Sequence, residues 1–388
     1  MDQKKECRQR IERLQKQLQR KGLCGSMLIY PIDIYYYAGT RQNSLLWVPA
    51  EGAPLLLVRK SLIRARAESC VDDVRPYPPG RKLPELFAEA KRIGLTHDVL
   101  PAQQVGYLSK VLPDKEWADI SAINRDLRSV KSDWELGKLK VAGKKLCGVF
   151  ADIPEFLRPG MRELDLAAEF EYRARKAGSE GHVRMRAFNQ ELFQGLAVAG
   201  SSAASPGFFD GAVTGRGLSR ALCHGSSIAP IEANVPIMVD YTGVHEGYLV
   251  DMTRIFVIGE LAPKARRAFD VALEIQDEVV QQLRPGASGA DLFEAARQKA
   301  EQSGLGDNFM GPPGEQAKFV GHGVGLELDE MPVLAQGFDI PLQAGQTIAI
   351  EPKFVLPEIG VVGIENTFAV AEDGGVKITD MADSLVCL

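Results

Sequence analysis

Pro236-Ile237-Met238-Val239-Asp240-Tyr241-Thr242-Gly243 and Gly247-Tyr248-Leu249-Val250-Asp251-Met252-Thr253-Arg254 decide how this chain folds. Each is a strand-like apolar run interrupted by one acid, and Gly243 to Gly247 is a natural reversal between them. A hairpin symmetric about residues 245 and 246 sets Asp240 directly opposite Asp251. Facing side chains in such a pair stand about 4.5–5.5 Å apart at Cβ. Two carboxylates that close repel, and one takes up a proton unless a cation lies between them. A metal ion resolves the conflict.

The pattern returns near the end of the chain. Ile348-Ala349-Ile350-Glu351 and Val362-Gly363-Ile364-Glu365 flank a loop centred on Glu358, which places Glu351 opposite Glu365. One acid in an apolar strand reads as an edge residue facing water, but four in two matched hairpins read as ligands. His322, in Phe319-Val320-Gly321-His322-Gly323-Val324-Gly325, is the fifth candidate, with flanking glycines that allow close backbone approach. Four carboxylates and one imidazole can hold two divalent ions if some carboxylates bridge. The set suits Mn or Co first, with Fe or Zn as alternatives. Two such ions lower the pKa of a shared water to give a hydroxide nucleophile, with Glu351 as its proton acceptor.

The rest of the composition is that of a globular chain. At 388 residues, two domains are expected. A formal net charge of −5 and short basic runs give no sign of a nucleic-acid partner. No window approaches the ~18 apolar residues of a membrane span. The charged N-terminus and six scattered cysteines (Cys7, Cys24, Cys70, Cys147, Cys223 and Cys387) suggest the cytoplasm, with the cysteines as small buried hydrophobes.

Residues 1–128 read as an α/β domain without chemical residues. A helix over 1–22 carries Cys7, Ile11, Leu14 and Leu18 on one face, a strand covers 26–30, and a hairpin joins 44–49 to 54–58. Further helices are expected near 83–93 and 114–128. In residues 129–388, helices over 132–157 and 163–176 are followed by strands, then helices over 262–283 and 289–303, then strands again. That order implies an α+β domain of two similar halves.

The ordered set Asp240, Asp251, His322, Glu351 and Glu365, within the motifs VDYTG, VDMTR, GHGVGLE and AIEP, resembles the pita-bread metallopeptidases. These include Xaa-Pro dipeptidases, aminopeptidase P, methionine aminopeptidase and the metal-free creatinase. The resemblance covers about residues 130–388, and the preceding α/β domain resembles the prolidase, aminopeptidase P and creatinase branch. It implies a pita-bread catalytic domain with pseudo-twofold halves, a homodimer, and a histidine that contacts the substrate or tetrahedral intermediate. His224 matches that last position. His245 at the hairpin tip and His97 read as solvent-exposed.

Four departures fall around the expected site. Where relatives place a second histidine, seven residues after the ligand histidine, this chain has Asp329, which either holds a substrate amine or marks a weakened peptidase. Val333 replaces an arginine that binds a dipeptide carboxylate, Gly363 replaces another arginine, and Lys353 replaces the glycine after Glu-Pro. The leading expectation is an exopeptidase that cleaves Xaa-Pro bonds in small peptides. A metal-dependent hydrolase or lyase of a small non-peptide substrate is the second reading, and a non-catalytic binding module is the third.

Overall fold

The computed structural model describes residues 2–186 and 192–388, which divide into two compact units. One reaches to Arg128 and takes in Arg186; the other begins at Ser129.

The first unit is built on a six-stranded mixed sheet in the order Asp73–Pro76, Leu55–Val58, Ser44–Pro49, Gly25–Leu28, Arg92–Leu95, Glu116–Asp119. The leading helix spans Gln3–Arg20 and buries Cys7, Ile11, Leu14 and Leu18, the face its 3.6-residue periodicity marks out. Two expected helices give way to strands. Near 83–93 one helical turn, Leu83–Leu86, precedes the strand Arg92–Leu95, whose Ile93 pairs with Gly25 in the sheet. The stretch 114–128 splits into the strand Glu116–Asp119 and the helix Ser121–Ser129. Both apolar runs are short, and sheet pairing outweighs local helical preference there. The helix Ala102–Val111 has no counterpart in the sequence reading. Of the six cysteines only Cys7 is buried, because Cys24, Cys223 and Cys387 fall in exposed positions and Cys70 and Cys147 are half-buried.

In the second unit, helix pairs alternate with largely antiparallel sheets, twice. Asp133–Ala151 starts at a capping box, with Ser132 and Glu135 each accepting from the other's backbone N–H. Glu163–Lys176 follows, then the strands Gly195–Ala199, Ile237–His245 and Tyr248–Val257 of a four-stranded sheet. The second half repeats the plan with helices Pro263–Gln282 and Gly289–Gln302. Its five-stranded sheet runs Glu330–Ala335, Phe319–Gly323, Thr347–Ile350, Asn366–Ala371, Gly374–Lys377. A separate ribbon pairs Lys353–Leu356 with Gly360–Gly363.

The halves join where the acid-bearing strands meet. Thr253 and Glu365 exchange backbone hydrogen bonds of 3.3 and 3.4 Å, and the Asp251 N–H donates to Thr367 Oγ1 at 2.8 Å. Arg254 is fully buried beneath this seam, and its guanidinium donates to the carbonyls of Thr253, Glu365, Met381 and Ala382 and to Asn366 Oδ1. Thr253 and Glu365 are thus held from below by one arginine, and Asp251 by Thr367 across the seam.

Candidate metal centre

The first hairpin is offset from the expected register. Asp240 pairs with Thr253 and Asp251 with Thr242, so the two acids are diagonal neighbours on one face rather than direct partners. The turn explains the offset: Glu246 (φ +48°) and Gly247 (φ +82°) both adopt positive φ, the two-residue loop whose twist matches the flanking strands. The centre of symmetry therefore falls between 246 and 247. His245 is correspondingly less open than a hairpin tip suggests. Its side chain is only 22% exposed, and Nδ1 lies 3.1 Å from Lys145 Nζ on the packed helix. Burial and the Lys145 charge pull its pKa below the ordinary value. His97 is exposed, as expected.

The second pair keeps its register. Ile350 faces Asn366 and Lys353 faces Gly363, an alignment that sets Glu351 across from Glu365. His322 lies in the neighbouring strand Phe319–Gly323, which pairs with Thr347–Ile350. Its Nδ1 is 2.7 Å from the carbonyl oxygen of Leu328. A carbonyl only accepts, so Nδ1 carries the proton and Nε2 is turned toward the acids. Nε2 is 3.6 Å from Glu351 Oε1 and 3.8 Å from Glu365 Oε1. Asp251, His322 and Glu365 each offer a ligand atom, all within 4.8 Å of one another. A divalent ion fits this donor set of two carboxylates and one oriented imidazole.

Lys353 lies against the same acids. Its ammonium donates to Glu351 Oε2 at 2.7 Å, Asp240 Oδ2 at 2.8 Å and Glu365 Oε2 at 3.0 Å. Thr253 Oγ1 adds a fourth bond, to Glu365 Oε2 at 2.8 Å. Burial opposes the lysine charge, but the three carboxylates outweigh it and hold the pKa well above the usual lysine range. Burial also raises the Asp251 carboxyl well above its ordinary value, reinforced by Glu365 and Asp240. Asp240 is raised by burial too, while Lys353 pulls it the other way. In the sequence, Lys353 stands out only as a departure from the family pattern. Its position two residues after Glu351, on the same face of an extended segment, was the available signal.

The acids line a cavity of about 300 Å³ whose walls include Met185, Leu192, Phe193, Phe209, Phe319 and Leu328. His224, Asp329 and Val333 line it as well, so three of the four departures, Asp329, Val333 and Lys353, face the cavity and Gly363 is not among its lining residues. The His224 ring lies between Phe193 and Phe208, at centroid distances of 5.3 and 5.5 Å. Its Nδ1 is buried and has no hydrogen-bond partner among the described residues.

Residues 137–372, more than half of the chain, match the model of metallopeptidase family M24, and the chain belongs to that family. Residues 10–130 match the creatinase/prolidase N-terminal domain. An Xaa-Pro dipeptidase of Pyrococcus furiosus is 26% identical, the alignment covering 96% of this chain and 98% of that one. A probable dipeptidase, PepE, of Mycobacterium bovis is also 26% identical, over 94% and 92%. The solved structure of an Xaa-Pro dipeptidase from Bacillus anthracis superposes with a TM-score of 0.84 at 23% identity, covering 98% of this chain and all of that one. The fold is therefore the expected one: a creatinase-type N-terminal domain followed by a pita-bread catalytic domain.

Proposed function

We propose that this chain is a metal-dependent exopeptidase acting on Xaa-Pro bonds of small peptides. The observation that carries the reading is the convergence of Asp251, His322 and Glu365, donor atoms within 4.8 Å, on the wall of an apolar cavity. Family membership and relatives named as Xaa-Pro dipeptidases support it. A divalent ion at these residues, Mn or Co by preference, supplies Lewis acidity and a water of lowered pKa.

The chain's own groups do the remaining work. Glu351, whose Oε1 faces His322 Nε2, accepts the proton of the attacking water. His224 donates toward the oxygen on which negative charge develops; its unpartnered ring nitrogen leaves it a bond to make with substrate. Asp329 holds the substrate amine at the cavity wall. The apolar lining takes the proline ring, whose nitrogen has no N–H for a peptidase to grip. The same reading places the protein in the cytoplasm as a homodimer.

The test is proline release from Xaa-Pro dipeptides and longer Xaa-Pro peptides by Mn- or Co-loaded protein, with Asp251→Asn as control. Turnover lost in the control supports the reading. No turnover by protein that holds metal would overturn it in favour of a small non-peptide substrate, a reading also favoured by Val333 in the cavity, whose described lining residues include no arginine for a dipeptide carboxylate.

A further inference from the structure

A strand and the ends of two others in the catalytic unit aim carboxylates at one small volume, and the chain places a cation of its own inside it. Asp240, Glu351 and Glu365 each present one oxygen to Lys353 Nζ at 2.7–3.0 Å. The two glutamates divide their oxygens between two positions. Their Oε2 atoms bond the ammonium, while their Oε1 atoms face His322 Nε2 at 3.6 and 3.8 Å. Asp251 completes the second position, and among the described residues Lys353 is bonded to the other three acids and not to it.

We propose that Lys353 is a built-in replacement for the second metal ion, so that this chain binds a single divalent ion, at Asp251, His322, Glu351 and Glu365. The inference rests on the reading of this site as metal-dependent. A divalent ion lies about 2.0–2.2 Å from its carboxylate oxygens. An ion bound to the three oxygens that surround Nζ would need the space the ammonium fills. Like charges at that separation would also repel strongly in a buried site.

Lys353 has no easy way out. Its side chain is 4% exposed, and its backbone is paired with Gly363 in the ribbon Lys353–Leu356/Gly360–Gly363. Gly363 leaves room for the lysine stem: a Cβ there would meet Lys353 Cγ at 2.8 Å. The lysine and the glycine opposite form a matched pair, one supplying the cation and the other its space. Asp240 then answers to the ammonium instead of to a metal, and the bridging two-ion arrangement expected from the sequence is replaced by an ion beside a fixed positive charge.

The experiment is metal stoichiometry on the full chain. Protein is equilibrated with Mn(II), freed of excess, and measured for bound metal by mass spectrometry and for the spin state by electron paramagnetic resonance. The expected result is one Mn per chain with the spectrum of an isolated ion, rising to two per chain with a spin-coupled spectrum in Lys353→Gly or Lys353→Ala. Two ions in the wild-type protein would overturn the inference and leave the peptidase reading standing. No bound ion would overturn both. Folded variants that still hold one ion would show that Lys353 is not what excludes the second. Should both variants fail to fold, anomalous scattering from Mn-soaked wild-type crystals decides: one peak beside His322 supports the proposal, and a second beside Asp240 sinks it.

Discussion

Lys353 stands directly across a two-stranded ribbon from Gly363, so close that any Cβ at 363 would lie 2.8 Å from Lys353 Cγ and 2.6 Å from the Pro352 carbonyl oxygen. The backbone oxygen cannot yield as a flexible side chain would. Gly363→Ala should therefore cost about 1–3 kcal/mol through overpacking. Urea unfolding measures it; a loss below about 0.5 kcal/mol, the usual size of an innocuous surface change, would show that the ribbon opens freely.

Arg254 lies beneath the seam that carries Asp251 and Glu365, with Asp383 as its ion-pair partner at 3.0 Å. Arg254→Met keeps much of the volume but removes five hydrogen bonds and an ion pair; Thr253 O, Glu365 O, Met381 O, Asn366 Oδ1 and Asp383 keep other donors, whereas the Ala382 carbonyl loses its guanidinium partner. The expected cost is about 1–3 kcal/mol, the range for leaving a buried acceptor without its donor, because Asp383 keeps Lys377 as an ion-pair partner. Metal affinity should fall with it, since Glu365, one of the proposed ligands, loses the guanidinium that holds its carbonyl. Retained stability and affinity would mean that the backbone bonds between Thr253 and Glu365 suffice alone.

Glu171 accepts from the Tyr241 hydroxyl at 3.2 Å, and burial raises its pKa despite that bond. A raised folded-state pKa means the native state keeps a proton that the unfolded chain has lost. Stability should then decline as pH rises from about 4.3, the unfolded value, through the folded value, and level off above it. Glu171→Gln should remove that component of the slope. Unfolding midpoints compared between wild type and variant across this interval check it; parallel curves would refute the assignment.

His224 is expected to act on developing charge, not on ground-state binding. His224→Ala should lower kcat by about 10²–10³-fold, as loss of one oxyanion donor does, with KM changed much less. A rise in KM at constant kcat would instead make His224 a binding residue.

The five candidate residues stand out in the sequence because each interrupts an apolar or glycine-rich run, and short-range alternation fixes which face of a strand a residue takes. The Glu351–Glu365 alignment followed from symmetry about one loop and is the register observed. Asp240 and Asp251 were misaligned by two positions because the turn uses Glu246 and Gly247, a choice made by backbone twist rather than by the centre of the glycine-bounded segment.

What the sequence determined by itself is the pair of domains, the repeated helix-then-strand order and the acids with their histidine, all encoded in local periodicity and motif spacing. What only the tertiary structure decided is where the lysine goes. Lys353 adjoins Glu351 in the chain, but Asp240 lies 113 residues away and reaches the same ammonium only once the two halves close at Thr253 and Glu365. Electrostatic contact between residues so far apart depends on packing distance, which no local pattern of residues specifies.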